Sequence, residues 1–81
     1  MQLIFDIEGV FFIKPEKWTG KLIGNMHVEG ITYDDLAKEL EVTKAYVSMI
    51  LNGRKRPPNA RERLEAAFAA VLERKKAETN E

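Results

Sequence analysis

Cysteine is absent from the 81 residues, which excludes disulfides, thiol nucleophiles and cysteine-ligated zinc and leaves the redox compartment open. Histidine occurs once, at His27. No ligand set at metal spacing accompanies it, so it reads as a helix-terminal residue favoured there by the helix dipole. Net charge is also missing: 13 Lys and Arg balance 13 Asp and Glu, and a pI near 6.6 argues against bulk attraction to polyanions. No apolar run approaches the length that spans a bilayer, so no membrane partner is expected. The stretch MQLIFDIEGVFFIK has Asp6 and Glu8 where an export signal needs basic residues and then an unbroken apolar run, and a cytoplasmic location is expected. There is no phosphate-binding glycine loop, and Ser48 has no histidine partner. The chain is therefore expected to be no enzyme and to need no cofactor, metal or small-molecule ligand.

What is present is an ordinary globular composition, 44% hydrophobic and 32% charged, in a chain long enough for one domain with a modest core. Association with a second copy would add buried surface, so a homodimer is expected. The balanced charge is unevenly spread. Between Val42 and Arg63 lie Lys44, Arg54, Lys55, Arg56, Arg61 and Arg63 against Glu62 alone, a surplus of five positive charges. Acids gather elsewhere, at Asp6, Glu8, Asp34, Asp35, Glu39 and Glu41. A local basic patch on a neutral protein holds a phosphate backbone while keeping non-specific affinity low.

Along the chain, residues 1–14 read as a β-ribbon appendage. Residues 2–13 are rich in strand formers, with Glu8-Gly9 as the hairpin turn, and serve for packing or dimerisation. Residues 15–76 read as a helical domain and 77–81 as a frayed end, the polar stretch starting at Lys75. Pro15 suits the first turn of a helix running to about His27, with Trp18, Leu22, Ile23 and Met26 as its apolar stripe. Thr32 caps a second helix, with Asp35 three residues on as an acidic variant of the capping box, and Leu36, Ala37 and Leu40 form its buried face. Thr43 caps a third, which ends near Asn52-Gly53 and buries Val47, Ile50 and Leu51. Lys44, Ala45, Ser48, Met49 and Asn52 are left outside. After the loop Arg54-Lys55-Arg56-Pro57-Pro58, Asn59 caps a fourth helix whose inward stripe is Leu64, Ala67, Phe68, Val71 and Leu72.

Two short helices joined by Glu41-Val42-Thr43 have the size and spacing of a helix-turn-helix. The run ITYDDLAKELEVTKAYVSMILNGRKRPP resembles the helix-turn-helix of the lambda-repressor and Cro family, also called XRE-type regulators. The likeness lies in Ile31-Thr32, Leu36-Ala37, Leu40, Val42-Thr43, Val47-Ser48 and Asn52-Gly53-Arg54-Lys55 followed by Pro57, and with flanking helices it covers roughly Pro15 to Arg74. The fold it implies is mainly α, a lambda-repressor-like domain of four to five helices, here with a short N-terminal β-hairpin that is not part of the family core. Many relatives have glycine where this chain has Glu41. A left-handed turn there carries a cost for glutamate.

The resemblance implies a transcriptional regulator that binds double-stranded DNA through its third helix, a repressor of prokaryotic or phage type acting as a homodimer on a palindromic operator. Base contacts are then expected from Lys44, which donates to guanine O6 and N7, from Ala45 and Met49, which suit thymine methyl groups, and from Ser48, which donates or accepts. Phosphate contacts are expected from Tyr33, Thr43, Tyr46, Asn52, Arg54, Lys55 and Arg56. For Tyr46 a half-buried place against the first helix is an equal alternative. The rival reading is an antitoxin-like protein-interaction module that uses the same scaffold without DNA, although such a module has no need of the basic loop at 54–56.

Overall fold

Four helices follow one another in residues 15–79, the part of the chain described by the computed structural model: α1 (Lys17–Glu29), α2 (Tyr33–Leu40), α3 (Lys44–Leu51) and α4 (Ala60–Thr79). The hairpin expected over residues 2–13 lies outside the described residues. Each helix begins and ends for a local chemical reason, and two of the starts differ from what the sequence suggests.

Pro15 stands outside α1 rather than in its first turn. Glu16 is the extended residue before the helix (φ −75°, ψ 156°), and its carbonyl accepts both the Thr19 hydroxyl at 2.6 Å and the Thr19 N–H at 3.1 Å. Thr19, buried and polar, thus closes the first turn with its own donors, as a buried hydroxyl must. The α4 start is a second correction. Asn59 precedes the helix with φ of 61°, left-handed rather than the extended backbone of a capping side chain. Its carbonyl takes the first helical bond, from the Arg63 N–H at 3.0 Å. At the other end α4 continues to Thr79, beyond the point near Lys75 where a frayed tail is expected.

The α2 start matches the sequence expectation. The Thr32 hydroxyl accepts the Asp35 N–H at 3.1 Å, and the Asp35 carboxylate accepts the Thr32 N–H at 2.9 Å. These two bonds satisfy donors that every helix leaves orphaned at its first turn. The backbone donor from Thr32 is also the largest reason why the Asp35 carboxyl titrates below its usual 3.8. Its hydroxyl and the charges of Lys75 and Lys38 act the same way, against partial desolvation.

Three helices end alike. After α1, the Gly30 N–H donates to the His27 carbonyl and the Ile31 N–H to Met26. After α2, Glu41 donates to Lys38 and Val42 to Ala37; after α3, Gly53 donates to Ile50 and Arg54 to Met49. This is one closure used three times, a crossed pair of bonds around a left-handed residue. That residue is glycine twice, Gly30 at φ 70° and Gly53 at φ 80°, and Glu41 at φ 60° once. The left-handed turn that costs glutamate is therefore present. The closure at Gly30 also carries α1 two residues past His27 to Glu29.

The core collects one stripe from each element. Leu22 and Met26 come from α1, Leu36 and Ala37 from α2, Val47, Ile50 and Leu51 from α3, and Leu64, Ala67 and Val71 from α4, with Ile31 from the first turn. Leu36 and Val47 have no exposed surface at all. Each such side chain stabilises the fold by roughly 1.5–3 kcal/mol relative to exposure. Trp18, expected in the core, packs half-buried against its edge, as do Ile23, Leu40, Phe68 and Leu72. The helix α2 lies against α4 on one side and α3 on the other. Two ion pairs run from α2 to α4, Glu39 to Arg74 at 2.6 Å and Asp35 to Lys75 at 3.9 Å. The pair α2–α3 is in this way set against the long helix rather than hanging from its connecting turn.

Candidate nucleic-acid interface

The third helix owes its start to Thr43, extended at φ −82° and ψ 155°, whose hydroxyl accepts the Tyr46 N–H at 3.0 Å. Eight residues make little more than two turns, and three of them, Val47, Ile50 and Leu51, are buried. Their spacing fixes which way the rest of the helix faces. Lys44 and Ala45 stand exposed on its first turn, and Asn52 is exposed just past its end. Ser48 and Met49, expected outside, are half-buried.

Both partial burials have a visible cause. The Asn52 side-chain amide folds back along the helix and donates to the Ser48 hydroxyl at 3.1 Å. The Met49 carbonyl accepts two backbone donors, the Arg54 N–H at 2.8 Å and the Lys55 N–H at 3.2 Å. Those two bonds fold the basic loop back against the end of α3. Arg54 and Lys55 carry exposed side chains on a backbone tied to the helix, and Arg56 continues the run toward α1, where its guanidinium lies 4.0 Å from the Glu16 carboxylate. The same carboxylate accepts the Trp18 indole N–H at 2.7 Å. Exposed pairs of this kind contribute little energy, but this one gives Arg56 a carboxylate neighbour within the chain.

Of the other residues expected to hold phosphate, Thr43 is exposed at the N-terminus of α3, where its hydroxyl is engaged as the cap. Tyr33 and Tyr46 are both half-buried and pack against the core. The tyrosine at 46 thus occupies the half-buried alternative that the sequence leaves open, and its backbone N–H serves the Thr43 cap. The structure brings together Lys44, Ser48 and Asn52, which stand four residues apart along one line of α3, with the loop of Arg54 and Lys55 following directly. The bond between Asn52 and Ser48 is absent from the sequence expectation, which gives Asn52 to phosphate alone. Its signal is their i, i+4 spacing, which brings short polar side chains into contact on a helix surface.

The arrangement presents a positively charged first turn with a small neighbour, two polar groups beyond it, and a fixed basic loop at the far end. Among the described residues no group of three or more histidine or acidic side chains is placed to hold a metal ion, and no helix is long and apolar enough to cross a membrane.

Two short capped helices crossing at a three-residue left-handed turn, with the second exposing one face, define a helix-turn-helix. Residues 29–62 match the family model described as Helix-turn-helix, and the chain carries a helix-turn-helix domain of the lambda-repressor and Cro type. Domains of this family are DNA-binding modules of transcription regulators, and the family is not one of enzymes. No curated protein and no solved structure gives a significant match to the chain.

Proposed function

We propose that this protein is a sequence-specific transcriptional repressor that lays α3 in the major groove of a palindromic operator and acts as a homodimer in the cytoplasm. One observation carries the reading. The helix α3 buries Val47, Ile50 and Leu51 while exposing Lys44 and Ala45 on its first turn, and the exposed Arg54 and Lys55 are bonded to its end through Met49. A helix that reads base edges needs that division: one face fixed in the core, the N-terminal part of the other face free, and cations beside it for the backbone. Lys44 serves as a donor to guanine, Ala45 and the accessible part of Met49 meet thymine methyl groups, and Ser48 supplies a hydroxyl. Arg54, Lys55 and Arg56, with Thr43, Asn52, Tyr33 and Tyr46 around the helix ends, hold phosphate oxygens. Two copies would place their α3 helices about 34 Å apart, one turn of DNA. With DNA occupied over such a site, exclusion of polymerase is the simplest regulatory outcome.

The test is a binding selection from a random duplex library at moderate salt, with Lys44→Ala in parallel. The expected result is an inverted-repeat motif for the wild-type protein and relaxed preference at one base pair per half-site for the variant. Absence of any enriched motif for the wild-type protein across salt concentrations would sink the reading and favour a protein partner in place of DNA.

A further inference from the structure

A serine hydroxyl carries one donor and two acceptor sites and by itself discriminates poorly between base edges. In this protein the hydroxyl is not by itself. The Asn52 amide N–H donates to Ser48 Oγ at 3.1 Å across one helical turn, on the side of α3 that also carries Lys44. That bond occupies an acceptor site of the hydroxyl. The proton of Ser48 is then directed away from Asn52, and no acceptor among the described residues takes it.

We propose that Asn52 is a positioning residue that sets the polarity of Ser48, so that α3 offers the DNA a hydrogen-bond donor at this point. This rests on the major-groove reading of α3 and makes it more specific. A presented donor is satisfied by guanine O6 or N7, adenine N7 or thymine O4. It is not satisfied by cytosine, whose major-groove edge offers only the N4 amino donor. The base facing Ser48 is therefore selected against cytosine, through a residue that does not itself have to touch the base. The assignment also changes the role of Asn52: its amide is engaged along the helix and is not a free phosphate ligand.

Reversing the polarity of the bond tests this without removing it. In Asn52→Asp the carboxylate accepts from the Ser48 hydroxyl, and the lone pairs of Ser48 then face the groove. The library selection is run on the wild-type protein, Asn52→Asp, Asn52→Ala, Ser48→Ala and the double variant Ser48→Ala/Asn52→Asp, and base frequencies are compared position by position. The expected result is a wild-type bias against cytosine at one position of each half-site, weakened in Asn52→Ala. In Asn52→Asp that position should turn toward cytosine or adenine by about three- to tenfold, the equivalent of one hydrogen bond. The double variant should show no such turn. A merely structural role for Asn52 would lower affinity evenly and leave the base profile unchanged. An enriched wild-type motif whose profile is the same in Asn52→Asp, or whose change persists in the Ser48→Ala background, overturns this inference while leaving the regulator reading intact. No wild-type motif at all overturns both.

Discussion

Glu41 occupies a backbone conformation that its neighbours in the fold give to glycine. The turns after α1 and α3 use Gly30 and Gly53 for the same crossed pair of hydrogen bonds, and the turn inside the helix-turn-helix uses glutamate at φ 60°. The left-handed region costs a residue with a Cβ roughly 1–2 kcal/mol, while glycine avoids that strain but makes the unfolded chain more disordered. Glu41→Gly should therefore raise stability by about 0.5–1 kcal/mol, which for a domain of this size moves the thermal midpoint upward by about 2–8 °C. A calorimetric or circular-dichroism melt measures it, and an unchanged or lowered midpoint would mean that Glu41 is held there by an interaction worth as much as the strain. The opposite experiment is Leu36→Ala, which empties a site with no exposed surface. It should cost about 2–5 kcal/mol in urea unfolding, and a loss under about 1 kcal/mol would contradict the close packing of Leu36.

At the level of the element, helix starts are readable from the sequence wherever a side chain announces them. Thr32 with Asp35, and Thr43 three residues before Tyr46, each make the bonds expected of them. The starts at Lys17 and Ala60 are not readable in this way. Thr19 closes the first turn of α1 from inside the helix, and Asn59 takes a left-handed backbone that its capping chemistry does not suggest. The inward stripes are legible because their period is that of a helix, whereas the half-burial of Ser48 and Met49 is not. It comes from a side chain and a loop folding back after α3 has ended, which no periodicity records. The conformation of Glu41 is legible only through the resemblance, since nothing in glutamate asks for it. Two outcomes belong to these helix starts. Thr43→Ala removes the cap of the reading helix and should lower stability by about 1 kcal/mol, measured by urea unfolding. Asp35 has its folded-state pKa depressed by the Thr32 N–H, so its stabilising contribution is complete above the ordinary 3.8 and disappears as pH falls through the lower folded value. Asp35→Asn should accordingly be less stable than wild type near neutral pH, with the gap closing on acidification below that range. A gap that stays constant in acid would show that the charge of Asp35 is not what the capping box uses.

For the molecule as a whole, the neutral sum of charges conceals a polarised surface. Acidic Asp35 and Glu39 are paired with Lys75 and Arg74 along the α2–α4 contact, while Arg54 and Lys55 stay exposed beside α3. On the regulator reading, changing Arg54, Lys55 and Arg56 together to glutamine should flatten the salt dependence of DNA binding by about one unit of slope for each phosphate that is no longer neutralised. Arg56, which already faces Glu16, should account for the smallest share. Titrations at several salt concentrations decide this, and an unaltered slope would remove the loop from the interface. Sedimentation equilibrium with and without an inverted-repeat duplex should give two protein chains per duplex. One chain bound to a half-site with equal affinity would refute the homodimer.

The ties between α2 and α4 also fix an order of events. Glu39 is held by a residue 35 positions later in the chain, and the faces of α2 that carry Leu36 and Ala37 are covered by the helix that contains Leu64, Ala67 and Val71. During synthesis the reading unit is complete as sequence once Asn52 has been added, yet its partner helix is still to be made. At ordinary elongation rates the stretch from Gly53 to Arg74 takes about 1–5 s. Through that interval α2 and α3 lack the surface that orients them, so the nascent chain has the residues for recognition before it has the rigidity to use them.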